Sequence, residues 1–292
     1  MAADGTAERA ADGAAEGAAE GATNGSPHAA PPVRDDARGP AATTARRLAA
    51  LATPALSLAG FAALWALVAA VADTPVLPGP MAVVEAAGRE IETGYLGHLA
   101  ATLARVAAAF AIAMSVGTAI GLALGVSARA DRAFAPWLTL FLNLPALVTI
   151  ILCYVWFGLT EAAAIAAVAI NKIPNVAATL REGGRGLSRD LAEMASLYAM
   201  DWRTRLRHVV LPQLAPFIAV AARNGLALVW KIVLVVELLG RPNGVGYMIH
   251  LHFQLFDVAA ILAYAFGFIL VVQAIEMGIL EPWERAANRW RR

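Results

Sequence analysis

Three groups of polar residues interrupt long apolar stretches of this sequence, and their types suit the handling of ions better than the making of bonds. The first is Asn171-Lys172-Ile173-Pro174-Asn175. A charged or amide side chain in a stretch of membrane-spanning length costs several kcal/mol against lipid, so such residues should face protein or water. Pro174 frees a backbone carbonyl, and Lys172 offers a positive charge to an anionic solute. The second group is Asn224 and Lys231, seven residues apart and so on nearly one face of a helix. Both lysines could equally be structural charges, paired with Glu237, Glu276 or a neighbouring helix, and residue type alone leaves the two roles open. The third is His250-x-His252, half of a metal site with no third ligand in view; a solvated loop is the simpler expectation.

Covalent chemistry finds no such footing. The sequence has no Gly-x-x-x-x-Gly-Lys-Ser/Thr phosphate loop, so it cannot hydrolyse ATP by that route. No Ser/His or Asp/Asp pair falls at matching depth in two apolar stretches. The single cysteine, Cys153, has no intrachain partner. We therefore expect no catalytic residue, no metal and no cofactor bound by this chain.

The elements that position these residues follow from composition. With 59% hydrophobic and 15% charged residues among 292, the chain is too apolar for an ordinary soluble domain. Six stretches approach the 20 or so residues of a helical crossing, at about 51–72, 99–126, 136–158, 161–181, 213–239 and 257–280. The expected fold is all-α: a polytopic membrane protein with six transmembrane helices. Leu77-Pro78-Gly79-Pro80 and a short charged helix over 81–91 lie between the first two crossings. Arginines gather at Arg129 and Arg132, from Arg181 to Arg189, from Arg203 to Arg207 and from Arg285 to Arg292, whereas only Arg89 and Arg241 fall on the other side. Positive charge stays inside, so both termini are expected in the cytoplasm of a cell whose plasma (inner) membrane the chain spans repeatedly. Arg105, near the outer end of the second crossing, is expected to snorkel to the headgroups. Gly117, Gly121 and Gly125 line one side of that helix and suggest a close helix contact.

We read residues 1–45 as a disordered cytoplasmic tail, residues 46–284 as the membrane domain and residues 285–292 as a basic cytoplasmic tail. The first forty residues are Ala-Asp-Gly and Ala-Glu-Gly units with almost nothing to bury, and the early acids argue against a signal peptide. Between the fourth and fifth crossings, residues 182–212 form an amphipathic segment too polar for lipid. Leu191, Met194, Ala195, Leu197, Tyr198 and Trp202 recur there at helical spacing. Such a segment either lies on the anionic inner leaflet or docks on a soluble partner.

That segment carries Glu193-Met194-Ala195, Ala199 at the seventh place, then Val209, Leu211 and Pro212. It resembles the EAA loop of ABC importer permeases, written Glu-Ala-Ala, three residues, Gly, nine residues, Ile, one residue, Leu-Pro. Leu77-Pro78-Gly79-Pro80, and Glu237-Leu238-Leu239-Gly240 with Gly244-Val245-Gly246-Tyr247, are similar to the nitrate/sulfonate/taurine branch of that family. The resemblance covers about 50–290. It implies a permease subunit, in a type I importer architecture, whose coupling loop sits in a groove on a cytoplasmic ATPase dimer. ATP and Mg would then be held by that partner. It also implies a second permease copy, most simply an identical one, a periplasmic solute-binding protein, and a small solute such as a sulfonate, nitrate or taurine. Residues 193–195, 197–199, 209, 211 and 212 would serve the coupling; Asn171, Lys172, Asn175, Asn224 and Lys231 would line the path. Ala199 departs from the family glycine, which would permit a sharp bend; with alanine, the turn should use ordinary dihedrals or lie nearby. The main rival class is a secondary transporter or channel driven by an ion gradient, which calls for inverted repeats.

Overall fold

The computed structural model describes residues 40–282. The tails expected over 1–45 and 285–292 thus lie, through residue 39 and from residue 283, outside the described residues. The chain divides into two units after Ser57, and the packing below is that of the second.

Every regular element among the described residues is helical: α1 (Pro40–Ala72), α2 (Pro80–Thr93), α3 (Tyr95–Val126), α4 (Ala128–Leu142), α5 (Ala146–Phe157), α6 (Glu161–Arg185), α7 (Arg189–Leu197), α8 (Trp202–Arg205), α9 (Leu211–Gly240), α10 (Val245–Gln254) and α11 (Val258–Ile275). Two π-helical segments, Leu206–Val210 and Glu276–Leu280, precede α9 and follow α11. Short polar side chains start the helices. Ser127, Thr160, Ser188 and Asp257 each accept a bond from a backbone N–H three residues on, satisfying donors that a first turn leaves open.

Among the described residues, four helices are long and apolar enough to cross a bilayer: α3, α6, the continuous rod from Trp202 to Gly240, and Val258–Gly278. The stretch expected as one crossing at 136–158 is instead α4 and α5, meeting at 94°. Pro145 lacks an N–H and disfavours helical geometry at Leu144, so the helix breaks between Leu142 and Ala146. Taken as one bent crossing, the pair makes five. Leu56–Ala72 of α1 is apolar but shorter. Six crossings are consistent with this set.

The core runs between α3, α5, α6, α9, α10 and α11, through buried Val106, Ile150, Val168, Val233, Val245 and Tyr264 among others. Helices α3 and α6 run parallel in the closest contact of the bundle. A Cβ on Gly117 would meet Val176 Cβ at 2.6 Å, on Gly121 the Ala177 carbonyl at 2.5 Å, and on Gly125 the Arg181 carbonyl at 2.6 Å. The three glycines thus form the close contact expected of them, and only small residues permit it. Helix α9 runs antiparallel to α6, and Gln213, near its start, accepts a bond from Ser188 N at 2.9 Å, tying α9 to the first residue of the α7 turn.

Candidate functional site

Residues 186–212 build a bent pair of helices at the end of the bundle where α6 finishes and α9 begins. The bend is at Ala199 itself, with φ of +46°. Ala199 N donates to Ser196 O at 3.1 Å and Met200 N to Ala195 O at 3.0 Å, the two bonds of a Schellman stop. The turn therefore has the left-handed geometry that glycine would favour, and alanine adopts it at a cost of about 1–2 kcal/mol. This overturns the expectation of ordinary dihedrals or a displaced bend. After the bend, Asp201 caps α8, and α8, the π segment and α9 continue as one helix of 39 residues. Displacing α8 therefore displaces α9.

The faces of this bent pair differ sharply. Ala195 and Val209 are buried. Leu197, Tyr198 and Trp202 are 85, 74 and 69% exposed at the outside of the bend, with Arg203 stacked 5.1 Å from the Trp202 ring. Met194 and Leu211 are partly exposed apolar residues beside them, and Pro212 is exposed. Glu193 lines a surface groove with Arg189 and Arg205. Large side chains held open on a rigid turn make a surface suited to a complementary groove.

A second feature is the outward face of α9. Arg223, Asn224, Ala227, Leu228 and Lys231 are all exposed on it, in the middle of a membrane-spanning helix. Such a face cannot rest against lipid; it belongs against water or another protein surface. Arg223 was missed in the sequence, although its spacing of eight from Lys231 places it on the same stripe. Lys172 is elsewhere: only 2% exposed, it fills the space left by Gly225, where a Cβ would meet Lys172 Cε at 3.2 Å. No ion pair to Lys172 occurs among the described residues. Asn171 and Asn175 are half-buried, and Asn175 Nδ2 donates to Asn171 O at 3.3 Å. The structure thus joins Asn224 to Lys231 on one face but keeps Lys172 apart from them.

The opposite end of the bundle carries a network that sequence reading did not foresee. Arg105 is 4% exposed and does not snorkel. Its Nη1 donates to Glu237 Oε1 and its Nη2 to Glu161 Oε1, both at 2.7 Å, and it also bonds the side chain and carbonyl of Asn243. Glu237, wholly buried, further accepts from Thr102 Oγ1 and Gly246 N at 2.9 Å each. Arg241 completes the set by donating to Glu161 and the Leu159 carbonyl. Glu237 is thereby taken by Arg105, which removes it as a partner for either lysine. Snorkelling loses here because two carboxylates within the bundle offer Arg105 better partners than distant headgroups. The available signal was one base and two acids within apolar stretches, which must find each other.

The segment expected as a solvated loop around His250 and His252 is helix α10. His252 is buried, both ring nitrogens lack a hydrogen bond, and Nε2 lies 3.5 Å from Glu90 Oε1. No group of three metal-binding side chains exists among the described residues.

A bundle of membrane-spanning helices interrupted by an amphipathic bent loop is an architecture suited to a transporter permease. Residues 115–277 match the family described as binding-protein-dependent transport system inner membrane component, and the chain belongs to that family: it is a permease subunit of an ABC importer. It is 35% identical over 192 residues to the putative aliphatic sulfonates transport permease protein SsuC of Escherichia coli (strain K12), covering 65% of this chain and 73% of that protein. The SsuC protein of Bacillus subtilis (strain 168) is 29% identical, over 61% of this chain and 65% of its own length. The taurine transport system permease protein TauC of Escherichia coli (strain K12) is 26% identical, over 64% and 70%. Among solved structures, an inward-facing form of the MetNI methionine ABC transporter superposes with a TM-score of 0.60 at 17% identity, over 68% of this chain and 99% of that one. These likenesses make the chain a multi-pass inner-membrane transport component of the sulfonate/taurine branch.

Proposed function

We propose that this chain is the translocation subunit through which a separate ATPase drives import of a small anionic solute of the sulfonate, nitrate or taurine kind. The observation that carries it is the exposed trio Leu197, Tyr198 and Trp202 on a turn that is continuous with α9. The trio enters a groove on a cytoplasmic ATPase dimer, which holds ATP and Mg. Closure of that dimer pushes α8, and the push reaches α9 without an intervening joint. Glu193, Met194, Ala195, Ala199, Val209, Leu211 and Pro212 shape this contact, Glu193 with its charge at the rim and the others by setting the turn.

The polar stripe of α9 faces the path, with Asn224 and Lys231 in contact with solute or its water. Asn171, Lys172 and Asn175 support that face from α6. A second permease copy, most simply an identical chain, closes the other side, and a periplasmic protein delivers the solute. Both termini then lie in the cytoplasm, a reading that the arginine distribution supports.

The test is purification of tagged chain from its host membrane. A P-loop ATPase should co-purify, and uptake into proteoliposomes should require ATP. Leu197→Asp should leave insertion intact and abolish both. Solute movement by the purified chain without any ATPase would sink the proposal.

A further inference from the structure

We infer that the groove between α3, α4 and α6 holds one acyl chain of an anionic phospholipid, its phosphate set against the arginines at the end of the bundle where α6 finishes. The groove has a volume of about 450 Å³, and aliphatic and aromatic residues line it throughout, among them Ile120, Phe134, Trp137, Phe141 and Ile173. Buried Leu124, Leu138 and Ala177 meet at its floor. Its rim is open, with Phe134 and Trp137 more than half exposed. Helices α3 and α6 are crossings and α4 is half of the bent one, so the groove opens onto hydrocarbon or onto another helix.

Charge at one end of the groove selects the occupant. Arg181 stands one turn beyond Ala177 on the groove side of α6. It donates to Asp131 through Nε alone, and its two Nη groups meet no acceptor among the described residues. Arg185 shares the same carboxylate and also bonds Glu182. Arg129, next to groove-lining Ala130, and Arg132 are exposed at the start of α4. Four arginines thus gather around two acids, and the excess positive charge suits a phosphate. A basic cluster at the mouth of an interhelical groove is the form in which membrane proteins hold anionic headgroups.

Other occupants fit less well. A neutral apolar molecule would fill the groove and leave the Arg181 donors unmet. Residues 1–39 of the chain carry almost no large apolar side chain to place there. A second copy is expected on another side of the bundle. Lys172, Val176 and Leu180 turn towards α9, whereas Ile173, Pro174 and Ala177 lie roughly a third of a turn further around α6. The groove therefore opens on a different side from the outward stripe of α9, and this last exclusion rests on the proposal that the stripe faces the path.

The test is photolabelling of the full-length chain, with its co-purifying subunits, in nanodiscs of equal phosphatidylglycerol and phosphatidylethanolamine. One lipid at a time carries a diazirine midway along an acyl chain. Phosphatidylglycerol should label the groove residues about tenfold more than phosphatidylethanolamine. Arg181→Gln, and separately the exposed pair Arg129→Gln with Arg132→Gln, should each cut that preference severalfold. Ala123→Phe, which fills the groove from an exposed position on α3, should cut labelling by either lipid severalfold. Equal labelling by the two lipids, or groove labelling unchanged in Ala123→Phe, overturns the inference. So does capture of a second copy in place of lipid by a photoreactive residue, Trp137→p-benzoylphenylalanine. Dependence of uptake on ATP is measured separately, so failure of the lipid site leaves the ATP-driven assignment standing.

Discussion

Arg105 on α3 and Glu237 on α9 meet at 2.7 Å in the interior, at the end of the bundle away from the Ala199 bend. With Glu161 on α6 and Asn243 in the connection before α10, the pair joins three helices and that connection, Arg105 and Glu237 being buried and Glu161 half exposed. The bonded end of α9 is therefore held while its other end continues into the exposed turn.

Removing one partner of such a pair strands a charge. Arg105→Met should cost about 3–5 kcal/mol, and Glu237→Met a similar amount, whereas the double variant should recover most of the loss. Thermal unfolding in detergent measures this; additive losses in the double variant would refute the coupling.

At the glycine seam, Gly121→Ala would place a methyl 2.5 Å from the Ala177 carbonyl, a backbone atom that cannot rotate away. Expected destabilisation is about 1–3 kcal/mol. Gly88→Ala in α2 meets nothing within 4 Å and should be neutral or stabilising by up to about 1 kcal/mol. Comparable Tm values for the two would contradict the seam.

Ala199→Gly relieves a left-handed alanine. It should stabilise the turn by about 1 kcal/mol or a little less, because glycine also loses more freedom on ordering. Hydrogen exchange at the Met200 amide, bonded to Ala195 O, should slow severalfold. Faster exchange would show that the turn prefers another form.

Asp201 gives the loop an acid sensitivity. The Thr204 hydroxyl and the Arg203 N–H hold its carboxyl below the usual carboxylate range. Its folded pKa is depressed, so the cap is fully present above the unfolded value near 3.9 and is lost as pH falls through the lower folded value. Protease resistance of the loop should drop in that acid window, and Asp201→Ala should remove the pH dependence. An unchanged acid profile in that variant would exclude the cap.

Much of this architecture was legible because its causes are local. Apolar length gave the crossings α3, α6, α9 and α11, and four-residue glycine spacing gave the α3–α6 contact. The EAA-like spacing located the loop, since Glu193 to Pro212 are contiguous. What escaped depends on distant partners. Arg105 finds Glu237 across 132 residues, and no periodicity within α3 records that meeting. The kink at Pro145 was written in the sequence but outweighed by the apolar run around it. The bend at Ala199 went the other way: intrinsic preference argued against it, and two backbone bonds plus a continuing helix imposed it.

The π segment at Leu206–Val210 also has a bearing on direction. A π turn accommodates one residue more than an α turn, and each residue of an α-helix is worth about 100° of rotation. Trimming a single residue there would leave the membrane rod untouched yet swing Trp202 about a quarter-turn around its axis. The compass bearing at which this protein presents itself to whatever grips it is thus encoded by one inserted amino acid.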